Sequence, residues 1–283
     1  MSKAVDDLVI EPMTPKDLDL VLGWASEEGW NPGIGDAQAF YAADPNGFLI
    51  GRLADEPVSA ISVVRHSDTF GFLGLYISKP GFRGRGIGYA TWQAGMAHME
   101  NRIVGLDGVP AQVDNYRASG FEFAHQSDRY SGHVEGRADL DLVPVTSELM
   151  PSLLVCDRQV SGADRQAYMA AWLQETPTRK TLVLRSGGHI SAVGTIRACQ
   201  IGHKIGPLFA DDVEGAVRTL RGLVALVDAQ QIMIDVPQPN EVAVNMVQAL
   251  GLQQVFSCAR MYRYGKVKRQ LERIYGETTF ELG

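Results

Sequence analysis

The chain has 283 residues, 45% hydrophobic and 21% charged, the balance of a soluble globular protein with room for two ordinary domains. No apolar stretch approaches the ~20 residues of a membrane span, and MSKAVDDLVIEP lacks a signal peptide's apolar core, so the expected setting is cytoplasmic with no membrane partner. The net charge of −7 argues against nucleic acid as a partner. Cys156, Cys199 and Cys258 are isolated from one another and the six histidines show no paired spacing, so no metal site is expected.

In chain order, residues 5–13 read as a strand, followed by a helix from Thr14 with Pro15 at its first position. The breaker-rich loop EEGWNPGIGD, 27–36, leads to a short helix that Asp36 is placed to cap. Residues 47–53, 58–66 and 69–79 read as an antiparallel meander, the third strand apolar on both faces. After FRGRGIG, 82–88, Trp92, Met96 and Met99 mark the buried face of a helix running to about Arg102. IVGLD is a short strand, residues 111–119 a helix stopped by Gly120, and FEFAHQSDRYSG a final strand.

The second half replays this order. A strand at 138–145 and two helical stretches within 147–175 come first. Strands at 180–186 and 190–198, a helix at 212–229, a strand at 232–236, a helix at 240–250 and a last strand through Tyr264 follow. Arg129 lies nine residues after Gly120 and Arg260 nine after Gly251, and IVGLD and IMID both end in aspartate, Asp107 and Asp235. These coincidences predict a duplication, with domains at 1–136 and 137–283. KVKRQLERIYG, 266–276, reads as a basic helical tail.

FRGRGIG carries the densest local chemistry. It is not a dinucleotide fingerprint, because Tyr89 stands where the last glycine belongs and the flanking strands form a meander. Nor is it a P-loop, because Ile87 replaces the lysine. It does fit Arg/Gln-x-x-Gly-x-Gly between a buried strand and a helix. Gly84, Gly86 and Gly88 leave amides uncovered at a helix N-terminus, which favours a diphosphate, and Arg83 and Arg85 add charge.

At this motif the chain resembles the GNAT superfamily of acyl-CoA-dependent N-acetyltransferases. EGWNPG, DAQAFYAADPNGF and ARMYRYG are similar to a bacterial tandem subgroup with a diverged second GNAT-like domain. The resemblance implies an α/β (α+β) fold class: tandem folds, each a mixed, mostly antiparallel twisted sheet flanked by helices. It implies acetyl-CoA as co-substrate, with pyrophosphate on the loop, including the Ile87 amide, and pantetheine in a gap beside Leu75, Tyr76 and Ile77. The Ile77 amide would polarise the thioester. Tyr116, in Tyr-x-x-x-Gly-Phe, is implied as the acid for the leaving thiolate, with Asn115 beside it on the coenzyme side.

A protonated amine must lose a proton before it can attack, and Glu28 or Asp107 is expected to accept it. Glu27, Glu28, Trp30 and Asn31 are expected to line the acceptor site. The second half has Asp211, Asp212 and Glu214 where phosphate should sit, and Val247 in place of the tyrosine. It is expected to have lost the coenzyme and to wall the acceptor site with Arg197, Asp235 or Asn240. The expected partner is a small-molecule amine, with a homodimer left open. The competing expectation is a non-catalytic acyl-CoA sensor or protein-interaction module.

Overall fold

The computed structural model describes the backbone from residue 3 and side chains from residue 5, through residue 283. After a single-turn helix α1 (Lys3–Asp6) and strand β1 (Leu8–Pro12), Thr14 opens α2 (Pro15–Glu27). Its hydroxyl accepts from the Asp17 amide at 3.3 Å while the Asp17 carboxylate accepts from the Thr14 amide at 2.9 Å, a reciprocal cap. Helix α3 (Asp36–Ala43) starts at Asp36 itself. Asp36 does not cap: its fully buried carboxylate accepts from the Gly33 amide and pairs with Arg179 (2.8 Å) and Arg197 (3.1 Å) of the second half.

Strands β2 (Phe48–Leu53), β3 (Glu56–Arg65) and β4 (Phe70–Ser78) form the meander. Helix α4 (Ile87–Met99) ends earlier than the pattern predicts, because Glu100 adopts φ 54° and turns the chain. Strand β5 (Ile103–Gly108) runs parallel to β4, then come α5 (Val113–Ala118) and β6 (Glu122–Gly132). The second half supplies β7 (Leu142–Pro144), α6 (Met150–Ser161), α7 (Gln166–Trp172), β8 (Arg179–Ser186), β9 (His189–Ala198) and β10 (His203–Ala210). It continues with α8 (Val213–Val227), β11 (Ile232–Pro237), α9 (Glu241–Ala249), β12 (Gln253–Arg263) and β13 (Ile274–Gly276).

Residues 266–276 are not a helix. They run extended, with one short turn at Leu271–Arg273, before pairing as β13 with β10. Helical spacing loses here to tertiary partners: the Gln270 amide bonds the Val160 carbonyl, and Arg269 is drawn onto Glu277 at 2.5 and 2.8 Å.

Among the described residues all strands join one thirteen-stranded sheet in the order β1-β2-β3-β4-β5-β12-β6-β11-β10-β9-β8-β7, with β13 on β10. It is mixed but mostly antiparallel: only β4–β5 and β10–β11 are parallel. The last strands of the two halves are exchanged. β12 lies against β5, β6 lies against β11, and the two pair with each other at the centre. A division of the chain at residue 136 therefore follows the repeat but not the sheet, since each half is completed by the other's strand.

The exchange shows in the ion pairs. Arg129 of β6 meets Asp235 of β11 directly across the ladder, and Arg260 of β12 likewise meets Asp107 of β5. Both pairs are bidentate and almost fully enclosed, at 2.6 and 2.9 Å and at 2.6 and 2.7 Å. Each repeated arginine thus pairs with the repeated aspartate of the opposite half.

Alternation assigns the faces. Phe48 and Ile50 pack under α2, α3, α6 and α7, whereas Leu49, Ile61 and Val63 pack under α4 and α5. A separate cluster lies beneath α8 and α9. Among the described residues no helix is long and apolar enough to cross a membrane, and no group of three or more acidic, histidine or cysteine side chains could hold a metal ion.

Candidate active site

Strand β4 carries the bend that makes the site. Ile77 pairs with Ala60 and Gly74 with Ser62, so Leu75 and Tyr76 together face Ile61 alone. Leu75 takes φ 43°, a strained angle for leucine. The bulge inverts the alternation: Leu73 and Tyr76 lie on the α4 face, while Leu75 and Ile77 are buried on the other. Pairing with β5 stops at Leu73↔Leu106, and beyond that point the two parallel strands part.

The gap opens into a cleft of about 490 Å³, lined among others by Leu73, Gly74, Tyr76, Leu106, Val109 and Tyr116. At one end lies the glycine loop. Gly84 and Gly86 adopt φ 74° and 84°, and α4 begins at Gly86 with no side chain capping its first amides. A Cβ on Gly88 would lie 2.8 Å from Ser78 Oγ and 3.0 Å from the Tyr76 hydroxyl, so the loop has closed to the limit that glycine permits. Amides at the start of a thirteen-residue helix that no side chain caps fit a coenzyme pyrophosphate.

Arg83 reaches back to the Ser78 carbonyl at 2.8 Å and forms an ion pair with Glu28 at the rim. Arg85 stacks on Phe82, 5.5 Å from the ring centre. Ile87 is fully buried, so only its main chain faces the loop; Leu75 and Ile77 likewise offer backbone alone.

Tyr116 stands at the junction of this cleft with a second, of about 960 Å³, between α4 and α5 that also holds Asn115. Asn115 is engaged by Gln112 at 2.7 Å. The Tyr116 ring stacks on Trp92 at 5.7 Å, and Gly108 leaves it room. Burial raises the Tyr116 phenol well above the ordinary tyrosine range, helped by Tyr76 and Cys258, and burial pushes Tyr76 up to about 12. Both stay protonated near neutrality, so Tyr116 can donate a proton.

The expected base and acceptor residues separate. Asp107 borders the cleft, but both its oxygens are held by Arg260; burial pushes the carboxyl up while the guanidinium opposes this. Glu28 borders the cleft, paired with Arg83. Glu27 is exposed and does not line it. Asn31 is a structural clamp: its amide donates to the Ile201 carbonyl at 2.9 Å and accepts from the Ile201 amide at 3.2 Å. Trp30 lines the cleft, and its carbonyl accepts from Arg129 at 2.9 Å and Lys204 at 2.8 Å. Burial pulls Lys204 down to about 8.

Arg197, Asp235 and Asn240 do not reach the cleft. Arg197 is committed to Asp36 and Asp235 to Arg129, and Asn240 caps α9 while binding the Ile274 carbonyl at 3.0 Å. The second half repeats the bulge: Gly206 and Pro207 face Thr195, and β10–β11 pairing stops at Ile205↔Ile234. Its gap is filled by the chain itself, with β13 on β10 and the Glu277 amide bonded to the Asp235 carbonyl at 2.7 Å. Asp212 caps α8, accepting from the Gly215 amide at 2.8 Å, so that helix start is already satisfied.

A parallel strand pair that parts over an uncapped glycine loop, with a buried phenol beside the gap, defines an acyltransferase. Residues 17–121 match the model of the acetyltransferase (GNAT) family, and residues 153–276 that of an acetyltransferase (GNAT) domain. The chain belongs to the GNAT superfamily, with one GNAT domain in each half.

It is 29% identical to holothin acyltransferase of Pseudoalteromonas sp. (strain SANK 73390), across 96% of this chain and 94% of that one. A solved structure from Pyrococcus horikoshii, provisionally assigned as an acetyltransferase, superposes with a TM-score of 0.81 at 21% identity, covering 98% and 96% of the two chains. A tandem GNAT protein from the clavulanic acid biosynthesis pathway shares the fold at a TM-score of 0.61 and 14% identity, over 92% and 100%.

Proposed function

We propose that the chain is an acetyl-CoA-dependent N-acetyltransferase that passes the acetyl group directly to the amine of a small molecule within a ternary complex. Residues 1–136 carry the chemistry and residues 137–283 help to enclose the acceptor. The observation that carries this reading is the continuous path from the uncapped α4 amides through the β4–β5 gap to Tyr116. Similarity to an acyltransferase along nearly the whole tandem chain supports it. Three buried free thiols suit a reducing, cytoplasmic setting.

In this reading the loop amides and Arg83 hold the diphosphate, once Arg83 turns from Glu28. The bulged backbone of β4 holds the thioester beside Tyr116. The free amine attacks the carbonyl carbon, a C–N bond forms, the C–S bond breaks, and the Tyr116 hydroxyl gives its proton to the departing thiolate and regains one from the acylated nitrogen.

Calorimetry with acetyl-CoA, followed by thiol release across a panel of primary amines, tests the reading. Expected are micromolar binding and amine-dependent release. Absence of binding refutes the site, and binding without release under any amine turns the chain into a coenzyme sensor.

A further inference from the structure

Residues 277–283 are buried throughout and run from the filled gap of the second half to the open cleft of the first. The segment passes two glycines at matching bulges. A side chain on Gly206 would overlap the Glu277 carbonyl, and one on Gly74 would overlap the Glu281 carbonyl. His66 Nε2 then bonds the Leu282 carbonyl at 2.9 Å, and Arg165 bonds a Gly283 oxygen. The segment carries two enclosed carboxylates in different circumstances. Glu277 is held by Arg269, with Arg260 at 3.6 Å. Glu281 is 4% exposed, and its Oε2 has no hydrogen-bond partner.

Glu281 lines a small cavity of about 40 Å³ together with Phe256, Cys258 and Phe280. Trp30, Asp107 and Val109 border both this cavity and the 490 Å³ cleft, so the two adjoin. Arg129 also reaches the cavity, but Asp235 holds its guanidinium, which sits 5.2 Å from the Phe280 ring centre. Asp107 is neutralised by Arg260. Arg129, Lys204 and Arg197 feel the charge of Glu281 but form no ion pair with it, bonding Asp235, Trp30 and Asp36 instead. An enclosed carboxylate without a direct partner is a cost to folding unless a cation binds there.

We propose that Glu281, delivered by the second half, receives the acceptor's ammonium group and takes its proton, and that the acceptor is a primary amine carried on a flat apolar body. The inference rests on the acetyl-transfer reading. Phe256 and Phe280 flank the ammonium group in the small cavity, and Trp30, which borders both spaces, offers its ring to the apolar body in the larger cleft. One proton passes from the ammonium nitrogen to the Glu281 carboxylate, directly or through one water. The nitrogen lone pair forms the C–N bond as the C–S bond breaks. Tyr116 protonates the thiolate and recovers a proton from the second N–H, and Glu281 returns its proton to solvent, so one proton is released per turnover.

The test uses the full chain, with phenylethylamine and tyramine against spermidine and lysine as acceptors. The wild type releases thiol with the aryl amines in preference. Glu281→Gln lowers kcat with phenylethylamine by about 100-fold or more, the scale of a lost general base, and Glu281→Asp restores part of it. Acetyl-CoA Kd stays within about twofold, and the melting temperature does not fall, because an unpaired buried charge has been removed; a merely structural glutamate would lower it.

Retained kcat in Glu281→Gln overturns the assignment. So does a loss of stability in step with activity, or a preference for spermidine. No heat from acetyl-CoA with the wild type, or heat with no release under any amine, instead brings down the acetyl-transfer reading, and this assignment with it.

Discussion

Replacing Asp235 by asparagine keeps the shape of the side chain and removes the charge that holds Arg129. The pair is bidentate at 2.6 and 2.9 Å with side chains 4% and 6% exposed, so the guanidinium left behind has one strong partner, the Trp30 carbonyl at 2.9 Å. Removing one member of such a pair costs about 3–5 kcal/mol, and the retained amide oxygen sets the expectation near the lower end, about 3 kcal/mol. At about 2 °C per kcal/mol for a chain of this size, the melting temperature falls by roughly 6 °C.

Arg129→Met alone strands the enclosed Asp235 and costs about 3 kcal/mol as well, but in the Asp235→Asn background it leaves no buried charge unpaired and brings the double change back to about 1 kcal/mol, a coupling energy of about 5 kcal/mol. Urea unfolding of the four proteins measures it. The cycle also tests the strand exchange, since an unexchanged β6 would bring Arg129 to Asp107. A cost below about 1 kcal/mol for Asp235→Asn, or additive single changes, refutes the pairing. So does a stronger coupling of Arg129 to Asp107 than to Asp235.

Tyr116→Phe lowers kcat by about 100-fold or more and leaves the acetyl-CoA Kd within about twofold, read by thiol release and calorimetry; unchanged kcat removes Tyr116 as the acid. Gly88→Ala places a Cβ 2.8 Å from Ser78 Oγ and raises the acetyl-CoA Kd about tenfold or more, whereas Gly81→Ala, with nothing within 4 Å, leaves it unchanged. Burial pulls His66 down to about 3, with Arg165 adding to the effect. The unfolded chain therefore binds a proton that the folded chain refuses, and stability falls by about 1.4 kcal/mol per unit as pH drops from 6.5 toward 3. His66→Gln flattens that slope in urea titrations between pH 6.5 and 5; an unchanged slope refutes a buried neutral imidazole.

Much of the site was legible because its parts are local. Gly84 and Gly86 take positive φ for reasons confined to one turn, and Tyr116 sits on a helix that Gly120 ends, whereas Gly88 is held to glycine by Ser78 and Tyr76 of β4. What sequence reasoning missed acts across long separations. Nothing near Asp107 in the chain announces that Arg260 will hold both its oxygens, and nothing near Asn31 announces Ile201. Glu281 carried no motif. Its only sequence-level signal is a lone carboxylate in the apolar-flanked stretch TFELG, which acquires meaning once the segment is seen threading between the halves.

The order of elements, the repeat, the glycine loop and the loss of that loop in the second half are set by spacing and residue type, which a linear reading can count. The exchange of β6 and β12 is not, because the repeat is degenerate. Each arginine finds an aspartate at the same register whether its strand stays home or crosses, so only the folded sheet decides. The same holds for residues 266–276, where a helical spacing of charges yields to the unfilled hydrogen bonds of β10 and the enclosed Glu277.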